Sequence, residues 1–99
     1  MIRQMEKGRE NKYISEAQMV YQAMELYVEE NVTKESMMEF YANISMYSFD
    51  DEKNVMYGIL RGLCSEKAKV KRLSMNSEDV SLTAIVYSAG GYEVEIRNG

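Results

Sequence analysis

The chain has 99 residues, 45% hydrophobic and 28% charged, with a net charge of −4, the proportions of one globular domain. It has one cysteine and no histidine, which excludes an internal disulfide and a Ser-His-Asp or Cys-His mechanism and argues against a zinc site. No apolar run approaches the ~20 residues of a membrane span.

Residues 1–12 are polar around Gly8 and carry Arg3, Lys7, Arg9 and Lys12. They are expected to form a flexible arm ahead of a single α+β domain over 13–99. With no apolar leader in this arm and a lone thiol beyond it, a cytoplasmic protein is expected. No cofactor is expected either, since neither phosphate-cradling glycine motif occurs.

The strongest helix signal runs from Ile14 to Asn31. Ser15 is a good N-cap, Gln18 completes a Ser-x-x-Gln capping box, and Ile14 with Met19 closes a hydrophobic staple. Gln18, Gln22, Glu25 and Glu29 form one polar stripe. The remaining arc, from Met19 to Val28, is wide enough for contact on two sides. Asn31 suits a left-handed C-terminal position.

Thr33 then caps a second helix, with Met37, Phe40, Tyr41 and Ile44 on one face. Ser48 or Asp50 starts a third, over 51–64, with Val55, Met56, Ile59, Leu60 and Leu63 as its apolar face. Gly58 and Gly62 sit four apart in it, and Cys64 reads as a small core residue. The basic run from Glu66 to Arg72 fits neither period cleanly and stays open between a fraying helix and a short strand.

The end is a β-hairpin. Val80, Leu82, Ala84 and Val86 alternate with Ser81, Thr83, Ile85 and Tyr87. Across Ala89-Gly90-Gly91, Tyr92, Val94 and Ile96 alternate with Glu93, Glu95 and Arg97. A three-residue loop would set Val86 opposite Val94 and Ala84 opposite Ile96, giving one apolar face. Two strands alone are marginal, so the basic run or a second subunit is expected to extend the sheet. Ile85 and Tyr87, placed outward in this register, are the candidate contacts of a homodimer.

Three helices followed by a hairpin resembles the element order of a winged helix–turn–helix. The resemblance makes Thr33–Ile44 the first helix of the motif, Asp51–Cys64 the recognition helix and Val80–Arg97 the wing. It implies a DNA-binding transcriptional regulator in which Lys67, Lys69, Lys71 and Arg72 meet phosphate or another acidic surface. Against it, Asp50, Asp51 and Glu52 would point the wrong charge at the groove.

Charge is segregated. Residues 13–52 hold nine acids against Lys34, and residues 53–74 hold six basic side chains against Glu66. With nine methionines and eight tyrosines, this favours a non-enzymatic protein-binding module. The expectation is an acidic inhibitor or regulator of a host nucleic-acid-handling protein, by analogy with phage anti-defence proteins that offer carboxylates in place of phosphates. Its candidate contacts are Glu25, Glu29, Glu30, Glu35, Glu39, Asp50, Asp51 and Glu52. Solvated helix surface is the simpler reading of any one of them.

Overall fold

A computed structural model describes residues 2–4, by their backbone, and residues 11–98. The order is β1 (Ile2–Gln4), α1 (Asn11–Asn31), a 3-10 turn (Lys34–Ser36), α2 (Met37–Met46), α3 (Tyr57–Leu60), β2 (Lys69–Asn76), β3 (Ser81–Ala89) and β4 (Tyr92–Arg97). The fold is α+β. Its helices lead into the β3–β4 hairpin, the basic run supplies β2, and β1 completes an antiparallel sheet in the order β1-β4-β3-β2. Part of the expected arm is therefore placed: Ile2 lies opposite Ile96, and Asn11 and Lys12 belong to α1. The rest of the arm lies outside the described residues.

On α1, Ala17, Val20, Tyr21, Met24 and Val28 recur every three or four residues and are all buried, the stripe a helix needs to lie on a sheet. They pack over β3 and β4, while Phe40 and Ile44 of α2 pack over β2. Tyr21 donates its hydroxyl to the Leu82 carbonyl at 3.0 Å, so its burial leaves no orphaned group. Ser15 is not the N-cap. Tyr13 and Ile14 pack against the core and carry the helix back to Asn11. Asn31 is its last residue and donates its side chain to the Tyr27 carbonyl instead of turning left-handed. Thr33 opens the next helical segment as expected, its N–H donating to Ser36 Oγ at 2.9 Å.

The helix expected over 51–64 is a single turn, α3. Upstream, Asp51 Oδ1 accepts the Lys53 N–H at 2.8 Å and Asn54 Oδ1 accepts the Met56 N–H at 2.7 Å. Such local side-chain bonds compete with the helical ladder. Gly62, at φ +80°, ends the turn in a conformation natural to glycine.

The hairpin register also differs from expectation. Gly90 and Gly91 have φ +58° and +84°, both in the region a two-residue type I′ turn requires. Val86 therefore faces Glu95, Tyr87 faces Val94 and Ile85 faces Ile96. A bulge makes this register compatible with a core. Ser74 pairs Ala84 but Met75 pairs Leu82, leaving Thr83 as the extra residue, and its carbonyl is taken by the Asn98 N–H at 2.9 Å. One extra residue shifts side-chain parity. Leu82 before the bulge and Ile85, Tyr87 and Ala89 after it all belong to the core beneath the helices. Ala84 and Val86 take the opposite face.

Candidate functional site

The segment from Tyr47 to Ala68 is a clasp folded against α2 and the sheet. Phe49 is buried, stacks on Tyr87 with ring centroids 6.5 Å apart, and its N–H donates to the Ala68 carbonyl at 2.8 Å. Asn43 of α2 donates to the Lys53 carbonyl and accepts from the Val55 N–H, both at 2.8 Å. Asn54, the buried polar residue of the clasp, donates to the Tyr47 carbonyl at 2.8 Å. The two asparagines thus replace the backbone pairing an irregular segment lacks.

A second network ties the clasp to both layers. Glu16 of α1 accepts the Tyr87 hydroxyl at 2.7 Å and the Ser65 N–H at 3.0 Å on Oε1, and the Ser65 hydroxyl at 2.8 Å on Oε2. Burial, then the bond to Glu16, pushes the Tyr87 hydroxyl far above its ordinary range. Burial likewise raises the neighbouring Cys64 thiol, which keeps it protonated and a poor nucleophile. A carboxylate already holding three donors, beside a hydroxyl that keeps its proton, is equipped to bind three segments together. The sequence offered no signal for it: Glu16 reads equally well as a first-turn helix charge, and Tyr87 falls in this network only through the bulge parity.

The eight candidate acids separate into two groups. Glu29 and Glu30 end α1, Glu35 lies in the 3-10 turn and Glu39 in the first turn of α2, all exposed, with Glu25 half-buried one turn earlier on α1. Asp50, Asp51 and Glu52 lie beyond the other end of α2, whose ten residues rise about 15 Å. Asp50 accepts the Ser48 hydroxyl at 2.6 Å and the Lys67 N–H at 2.9 Å, bonds that hold its carboxyl below the usual range. Asp51 is engaged by Lys53. These two shape the clasp. They line, with Glu52, Lys53, Lys67 and Lys69, an open groove of about 950 Å³ in which both signs of charge meet.

No known protein family, curated protein or solved structure matches the chain.

The basic residues are also dispersed. Lys67 sits in the turn before β2 at φ +60°. Lys69 begins β2, Lys71 pairs with Glu93, and Arg72 lies opposite Val86. β2 is a sheet edge, where charged side chains discourage pairing with another strand. The homodimer contacts expected at Ile85 and Tyr87 are overturned: both are fully buried under the helices, because the two-residue turn and the bulge reverse the parity of β3. Among the described residues no group of three or more metal-ligating side chains converges, and no helix is long and apolar enough to cross a membrane.

Proposed function

We propose that the chain is a non-catalytic protein-binding module that engages a basic partner through the corner between α1 and α2. In this reading it inhibits or regulates a host nucleic-acid-handling protein, in the manner of an acidic phage-type anti-defence protein. One observation carries it: Glu29, Glu30, Glu35 and Glu39 are all exposed at that corner, and Lys34 is the one basic residue between positions 25 and 39. Concentrated carboxylates with little neutralising charge generate a negative potential that draws in a cationic surface. Surfaces that bind nucleic acid are cationic because they must neutralise phosphates. The DNA-binding alternative draws less support, since the segment assigned to its recognition helix contains one helical turn and the basic side chains line a sheet edge.

The test is affinity capture from extracts of the source cell, using the wild-type chain and a variant combining Glu29→Lys, Glu30→Lys, Glu35→Lys and Glu39→Lys. The expected result is a nucleic-acid-binding protein retained by the wild type, released by salt and lost with the variant. Equal capture by both chains, or a salt-sensitive gel shift of duplex DNA by the purified protein in place of any captured protein, overturns the reading.

A further inference from the structure

Helix α2 turns Phe40 and Ile44 into the core and leaves a second apolar stripe outside. Met38, Ala42 and Met46 follow one another at four-residue steps, with Tyr41 beside them. Met38 is 80% exposed, Met46 64% and Tyr41 41%, so none of the described residues covers the row. An apolar face on one side of a helix is usually buried, and contiguous exposed apolar surface marks an interaction site. The composition narrows the occupant further. Methionine side chains are flexible and polarisable, and they adapt to irregular apolar partners.

Charge identifies what fits. Glu35 and Glu39 flank the stripe three residues before Met38 and Ala42, while its far end, at Met46, opens on the groove where Asp50 to Glu52 meet Lys53, Lys67 and Lys69. We propose that this face receives an amphipathic helix of a partner protein, its apolar side on Met38, Ala42 and Met46 and its lysine or arginine side chains over Glu35 and Glu39. This is the helix-in-groove mode of recognition. A second copy of this chain fits poorly. In an antiparallel α2–α2 pair, Glu35 and Glu39 of one copy would meet the mixed-charge groove of the other, where Lys53, Lys67 and Lys69 balance Asp50 to Glu52, and a parallel pair would oppose each acid to itself. The proposal deepens the protein-binding reading above, on which it rests, by assigning the partner's recognition element.

The test uses methionine-methyl NMR and fluorescence anisotropy with a synthetic leucine–lysine amphipathic peptide. A leucine–glutamate peptide with the same apolar face serves as the control. The expected result is saturable, salt-weakened binding of the lysine peptide alone. It should shift the Met38 and Met46 methyl resonances and leave those of buried Met24 and Met56 in place. Met38→Asp combined with Met46→Asp, at exposed positions where folding is spared, should weaken it roughly tenfold or more. Equal binding of the acidic peptide, shifts elsewhere, or a concentration-dependent dimer abolished by the double variant overturns the proposal. If the double variant still captures the cellular partner that the four-fold glutamate reversal loses, the assignment of α2 fails while the protein-binding reading stands.

Discussion

A β-carbon built on Gly90 would collide with the Tyr13 hydroxyl, because the Tyr13 ring lies over the hairpin turn and stacks on Tyr92 at 5.3 Å. The position also sits at φ +58°, where a side chain is strained whatever the space. Gly90→Ala is expected to lower stability by roughly 1–3 kcal/mol, read from the shift of the urea midpoint, whereas Gly58→Ala, which meets nothing within 4 Å, should not. Tyr87 makes a different prediction. Its hydroxyl is buried against Glu16, which raises its pKa above the ordinary 10.0. The folded chain therefore keeps this proton at alkaline pH while the unfolded chain loses it. The stability Tyr87 contributes is complete below pH 10 and declines as pH rises beyond it. Tyr87→Phe should flatten that decline in thermal melts recorded from neutral to alkaline pH. Some slope will remain, since burial raises Tyr21 as well.

Among the elements, α1 and α2 were legible because long amphipathic periods leave few alternatives, and Thr33 declared its cap. The clasp was not. Val55, Met56, Ile59, Leu60 and Leu63 keep a helical rhythm, yet only Met56 and Leu60 are buried, and the bonds made by Asp51 and Asn54 decide the backbone first. Of the strands, β3 and β4 were legible as a hairpin, β2 was left open between helix and strand, β1 fell within the expected arm, and the facing of β3 was lost. Apolar and polar residues alternate only from Val80 to Thr83; Ala84-Ile85-Val86-Tyr87 is apolar throughout, a run that fits either facing, and the extra residue at Thr83 reverses every side chain after it. The candidate site suffered from this directly, since Ile85 and Tyr87 moved from surface to core. Glu29, Glu30, Glu35 and Glu39 are exposed at the α1–α2 corner, but spacing alone misplaced others there: Leu26 and Tyr41, on the expected apolar faces, are exposed as well, and Glu25 is half-buried. If asparagine bonds hold the clasp, Asn54→Ala should cost roughly 1–3 kcal/mol by leaving buried backbone groups unpaired. Hydrogen exchange should then quicken at amides 48–56 and stay unchanged in β3.

At the scale of the molecule, one layer of helices covers one face of a four-stranded sheet. The other face mixes Ala84 and Val86 with charged neighbours, including Arg72 and the Glu95–Arg97 pair at 2.7 Å. The acidic corner lies on α1 and α2, and the basic side chains on β2 and the turn before it. The molecule's connectivity governs the order in which it can be assembled. β1 opens the chain, yet its hydrogen-bonding neighbour is β4, and α1 rests partly on that same strand. During synthesis on a ribosome, β1 must wait for residues beyond Tyr92 before it has a strand to pair with, and α1 must wait for them to complete its seat on β3 and β4. Such widely separated pairings slow folding. A chain lacking β4 leaves the part of the apolar underside of α1 that rests on that strand uncovered, a surface on which a chaperone would find its substrate.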